Sequence, residues 1–174
     1  MNANAPAADS GPGLLALYDR ALPHVYGYLA ARVRDRALAE DLTAETFLAA
    51  VRAVNENKGS DLSIPWLVTV ARNKLVDHWR RAAREQRTLQ LADDPDALVV
   101  EDDVDARFDR QRTREVLATL GPHHRAALTL RYLDGLPVAE VAQHLDRSVH
   151  ATEALLVRAR RAFRVSYEEG RSDD

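Results

Sequence analysis

Residues 137–164 read PVAEVAQHLDRSVHATEALLVRARRAFR, and this stretch decides the fold. Pro137 opens a short helix in which Val138, Val141, Ala142 and Leu145 recur at three- and four-residue spacing and line one face. Asp146 and Arg147 make a turn. Ser148 is placed to N-cap a second, longer helix, because its hydroxyl can accept from an unpaired N–H of the first turn. Small Ala142 lets the second helix cross the first closely. Helix, three-residue turn and helix in this pattern predict a helix-turn-helix, whose second helix enters the DNA major groove. Arg147, Arg158, Arg160, Arg161 and Arg164 set five cations on or beside that helix, which suits phosphate contact. The plain alternative is a solvated basic helix face.

Working outward, Gly121-Pro122 and Gly135-Leu136-Pro137 cut residues 111–168 into three helical pieces. Residues 14–84 read as three more helices. In the first, Leu14, Leu17, Tyr18, Leu22, Val25, Tyr26, Leu29 and Val33 form a stripe, with Pro23 a potential kink. Leu38, Leu42, Phe47, Leu48, Val51 and Val54 continue the pattern in the second. A loop follows over Asn55 to Ser63. The third helix, about Ile64 to Arg84, carries Pro65 near its first turn, where a missing N–H is harmless. Leu67, Val70, Ala71, Leu75 and His78 share one of its faces. Three amphipathic helices bury each other's stripes as a small bundle.

Composition agrees with an all-α chain. Ala, Leu and Arg dominate the 174 residues, and aromatics reach only 6%. The net charge of −3 conceals a pattern. Residues 14–84 hold 11 Lys and Arg against 8 Asp and Glu, residues 111–168 hold 9 against 6, and residues 85–110 hold 3 against 9. Two mildly basic blocks therefore flank an acidic connector, in which Asp93, Asp94, Asp96, Glu101, Asp102, Asp103 and Asp105 repel one another. That repulsion predicts an extended linker between two domains, at 14–84 and 111–168, with a solvated surface loop as the alternative.

The same reading excludes several classes. With no Cys, there is no disulfide framework, thiolate zinc site or cysteine nucleophile, and a reducing, cytoplasmic setting is expected. No apolar run approaches the roughly 20 residues of a membrane span, and the first residues lack a signal-peptide pattern. No GxxxxGK, GxGxxG, HExxH or GxSxG motif occurs, so no catalytic residue and no cofactor are expected. The six His are dispersed, and adjacent His123 and His124 point about 100° apart on a helix, so no metal site is expected either.

Three segments in order carry a resemblance. AEDLTAETFLAAVRAV (39–54), PWLVTVARNKLVDHWRR (65–81) and LGPHHRAALTLRYLDGLPVAEVAQHLDRSVHATEALLVRARRAFR (120–164) resemble the extracytoplasmic-function (ECF) sigma factors of bacterial RNA polymerase. The resemblance implies a promoter-specific initiation subunit. Its partners would be core RNA polymerase (the clamp of the largest subunit and the flap of the second-largest), promoter DNA, and an anti-sigma protein. Asp41, Leu42, Glu45 and Phe47 fall on the segment that docks on the clamp, where Asp41 and Glu45 offer a carboxylate patch one turn apart. Many relatives carry Gln where this chain has Ala44.

The third helix resembles the segment that opens and reads the minus-ten element. Asn73 and Asp77 share a face, Arg72, Lys74, Arg80, Arg81 and Arg84 surround them, and Trp66 and Trp79 lie at the two ends. Melted bases need stacking surfaces, polar groups for base edges and cations for the backbone, and this helix holds all three. In relatives the preceding loop receives a flipped base.

The second domain resembles the part that binds the minus-thirty-five element as duplex. Turning its last helix with Val149, Thr152, Leu156 and Phe163 inward leaves Ser148 as cap and sets His150, Ala151, Glu153 and Ala154 toward base edges. Arg147, Arg158 and Arg161 are left for phosphates. Many relatives have Gly, Lys and Arg where this chain has His150, Glu153 and Leu155, so two cations are missing from the reading surface. A carboxylate at 153 suits a cytosine amino group, and Leu155 or Ala154 a thymine methyl. The resemblance also threads the acidic connector toward the active-site cleft. Two rival readings are a homodimeric helix-turn-helix regulator acting without polymerase, and a helical scaffold or inhibitor that never touches DNA.

Overall fold

The computed structural model describes residues 10–56, 62–89 and 110–170. Helices run over Ser10–Ala30 (α1), Arg36–Asn55 (α2), Ile64–Leu89 (α3), Arg110–Thr119 (α4), Pro122–Leu128 (α5), Val138–Leu145 (α6) and Val149–Glu169 (α7). One π-helical turn, Thr129–Leu133, extends α5. Among the described residues there is no strand, and the all-α expectation holds. The chain divides into two compact units, Met1–Leu75 and Val76–Asp174, so the division falls inside α3. The acidic run from Asp93 to Asp105 lies outside the described residues, as does most of the loop ahead of α3.

In the first unit, α1 buries Ala21, Val25 and Leu29, and Val33 follows it inward. Its helix continues through Pro23. Asp35 starts α2, its carboxylate accepting from the N–H groups of Ala37 at 2.9 Å and Leu38 at 3.4 Å. The buried face of α2 is Ala39, Leu42, Thr43, Thr46, Phe47 and Ala50. The two threonines can sit there because each hydroxyl donates to the carbonyl four residues back, Thr43 to Ala39 and Thr46 to Leu42, both at 2.7 Å. The Tyr18 and Phe47 rings meet at 4.6 Å between centroids and join α1 to α2.

This face corrects the sequence reading of α2. Leu48 and Val51 belong to the expected apolar stripe, yet they are 55% and 41% exposed. Alanine and internally satisfied threonine fill the contact instead, which rotates the buried face away from the larger aliphatics. On α3, Leu67, Ala71 and Leu75 are buried in the expected phase, and the helix starts with the Ser63 hydroxyl accepting from the Trp66 N–H at 3.3 Å.

In the second unit, α7 packs against α4, α5 and α6. Its buried residues are Thr152, Leu155, Leu156 and Ala159, opposed by Ala126, Ala127, Leu128 and Leu130 around α5 and by Val141, Ala142 and Leu145 on α6. Small Ala142, Ala126 and Ala159 permit these close crossings. Fully burying each Leu removes apolar area worth about 1.5–3 kcal/mol. Pro122 follows Gly121 at the start of α5. Gly135, at φ +70°, makes the left-handed turn into α6, where a side chain would be strained.

Candidate nucleic-acid and polymerase interfaces

The turn between α6 and α7 sets the recognition geometry. Asp146 takes a left-handed conformation (φ 54°), one that Asp tolerates better than most residues. The Arg147 N–H then bonds back to the Ala142 carbonyl at 3.0 Å and closes α6. Ser148 is extended, and its hydroxyl accepts from the Ala151 N–H at 3.1 Å. The cap expected from the sequence is therefore present. It occupies the Ser148 hydroxyl.

Beyond the cap, His150, Glu153 and Arg161 on α7 are exposed, and Ala151, Ala154, Val157 and Arg158 are half-buried. Two assignments are corrected. Val149, expected inward, is 46% exposed, and Leu155, offered as a thymine contact, is 3% exposed. The buried stripe is rotated toward Leu155, which leaves Val149 on its edge in the first turn. The outer surface of α7 is thus polar at its start and basic further on, at Arg158, Arg161 and Arg164. Arg147 is half-buried beside the cap, and Arg160 donates to the Tyr132 hydroxyl at 3.1 Å.

Along α3, Asn73, Asp77, Arg81 and Arg84 are exposed, and Trp66, Arg72, Lys74 and Arg80 are half-buried. Asn73, Asp77 and Arg81 succeed each other at four-residue intervals and share a face. Arg81 donates to the Asp77 carbonyl at 3.4 Å. Arg80 has two acidic neighbours in the second unit, Asp77 at 3.7 Å and Asp146 at 3.0 Å. Trp79 is 2% exposed, so it is a core residue and no stacking platform for a base; Trp66 keeps partial access.

On α2, the four residues named for polymerase docking separate. Leu42 and Phe47 are 2% and 9% exposed and belong to the core. Asp41 is exposed, while Glu45 is half-buried and pairs with Lys74 of α3 at 3.3 Å. Leu48 and Val51 were not singled out as partner-facing, yet they extend the exposed face that carries Asp41 and Ala44. Their signal was phase: both lie off the stripe defined by Leu42, Thr46 and Ala50. Among the described residues, no three His, Asp or Glu side chains are gathered to hold a metal, and no helix is long and apolar enough to cross a membrane.

The left-handed turn at Asp146, the Ser148 cap and the exposed polar and basic outer side of α7 define a helix-turn-helix protein, a class whose second helix enters the DNA major groove. Residues 17–85 match the sigma-70 region 2 family, and residues 110–163 match sigma-70 region 4. The ECF RNA polymerase sigma factor SigM of Bacillus subtilis is 30% identical, over 91% of this chain and 97% of its own length. The ECF sigma factor BldN of Streptomyces coelicolor is 36% identical over 84% of this chain; this chain spans 57% of its length. Among solved structures, the sigma factor RpoE of Bartonella quintana, crystallised with the anti-sigma factor NepR, aligns with a TM-score of 0.52 at 19% identity. That alignment covers 87% of this chain and 94% of the other, and supports the fold. The chain belongs to the ECF RNA polymerase sigma factors.

Proposed function

We propose that this sigma factor divides its work between the two ends of its fold, as a dissociable subunit directing core RNA polymerase to promoters. Residues 14–84 grip the polymerase clamp through the exposed face of α2, Asp41 foremost, and take up melted minus-ten DNA along α3. Residues 111–168 hold the minus-thirty-five duplex with α7 in the major groove and engage the flap. The acidic connector, read from the sequence as 85–110 although α3 takes in residues up to Leu89, enters the active-site cleft of core polymerase, where its carboxylates imitate the charge of a nucleic-acid backbone. RNA synthesis itself belongs to the core enzyme; this chain binds and positions. It acts in the bacterial cytoplasm, and an anti-sigma protein masks its two binding ends until a stimulus releases it.

The observation that carries this reading is the split character of α7, with a polar reading end held by the Ser148 cap and a basic remainder at Arg158, Arg161 and Arg164. Phosphate contacts add affinity regardless of sequence, and base contacts add choice. Arg161→Ala is therefore expected to weaken holoenzyme binding equally on all promoters, and to flatten the plot of log affinity against log salt by about one unit. Filter binding of reconstituted holoenzyme across a salt series measures it. An unchanged slope contradicts the assignment.

A further inference from the structure

Glu153 has no use within the fold. It is exposed on the outer side of α7, one turn beyond the Ser148 cap, and among the described residues it has no hydrogen-bond or ion-pair partner. Arg147 precedes it at the turn, and the arginines of α7 lie further along, from Arg158 on, so no cation stands beside it in the first two turns of the helix. A helix-turn-helix brings this part of the second helix closest to base edges.

A carboxylate pressed into the major groove faces phosphate repulsion and loses water, so it must find a donor there. Only two base edges present one, the amino groups of cytosine and adenine. Adenine flanks its amino group with the N7 acceptor, which repels the second carboxylate oxygen. Guanine offers two acceptors and no donor. Cytosine presents its amino donor without an acceptor of its own beside it.

We propose that Glu153 is a specificity-determining residue that accepts a hydrogen bond from the amino group of one cytosine in the minus-thirty-five element and rejects guanine at that position. The inference rests on the reading of α7 as the recognition helix. Neighbouring Ala151 and Ala154 are short and leave the carboxylate room to reach the groove. His150 shares the reading end on the turn before, and Glu153 is the carboxylate of that end.

The test is transcription by reconstituted holoenzyme from a promoter pool randomised across the minus-thirty-five element, with transcripts sequenced, for the natural protein, E153A and E153K. The natural protein is expected to favour cytosine over guanine at one position by about tenfold or more. E153A levels that position alone. E153K turns it toward guanine, whose O6 and N7 accept from an ammonium, and leaves the other positions as they were. The proposal is overturned if E153A keeps the cytosine preference, or if the natural protein shows none while still initiating from selected promoters. No promoter-directed transcript from any member of the pool would instead overturn the sigma-factor reading on which it rests. Glu153 is solvent-facing, so thermal unfolding of both variants is expected to match the natural protein.

Discussion

Arg125→Ala is expected to destabilise the second unit by about 3 kcal/mol, one of the larger losses available without touching an apolar core residue. The last turn of a helix leaves carbonyls without intrahelical donors. Here the Arg125 guanidinium, from α5, supplies them to α4. Its Nε donates to the Leu117 carbonyl at 2.9 Å, and its Nη2 donates to the carbonyls of Leu120 at 3.0 Å and of Ala118. Burial pushes the guanidinium pKa down, but a guanidinium stays charged at neutral pH. Three charge-assisted bonds on partly buried acceptors add less than their sum, since water replaces some of them. Arg125→Lys recovers less than half the loss, because a single ammonium cannot span the three carbonyls as a planar fork does. A chain of two units need not unfold as one, so the measurement is hydrogen exchange resolved to the amides of α4, α5 and α7. A loss below about 1 kcal/mol would show that water closes α4 equally well.

The second large effect concerns core polymerase. Asp41→Lys is expected to weaken binding to core enzyme by about 2 kcal/mol or more, near 30-fold, with Asp41→Asn intermediate. Glu45 is held by Lys74 at 3.3 Å, whereas Asp41 is exposed and has no partner among the described residues. Asp41 is thus the carboxylate of α2 free to meet a basic helix, and reversing its sign replaces attraction with repulsion. Leu48 and Val51 are exposed on the same helix beside it. Since Asp41 takes no part in packing, its substitutions change stability by no more than about 0.5 kcal/mol. Fluorescence-monitored titration of core with labelled protein reads the affinity. Equal binding by Asp41→Lys would move the docking surface away from α2.

The helix-turn-helix was legible because its signals are local. Pro137, the Val138–Leu145 stripe, Asp146 and Ser148 each act within a few residues, and all of them reappear as elements, a left-handed turn and a cap. The phase of α2 was legible only in part. Leu42 and Phe47 of the expected stripe are buried, but Ala39, Thr43, Thr46 and Ala50 complete that face, which a search for large aliphatics passes over, and threonine is acceptable there only through bonds to its own helix. Trp79 illustrates a related loss. An indole on a polar helix reads equally well as a stacking surface or as core, and only burial decides. Arg125 was missed because its three acceptors lie five to eight residues back, across a helix boundary that hydropathy does not mark.

This chain is expected to give promoter choice to an enzyme that has little of its own. Purified protein is mixed with core RNA polymerase lacking any other sigma factor, and transcription is followed from a library of bacterial promoter fragments. Initiation is expected at a defined subset of promoters only when core and this chain are both present, with weak promoter binding by the chain alone. Tight, sequence-specific binding by the free protein as a homodimer, with no association with core and no promoter-directed transcript, would contradict it.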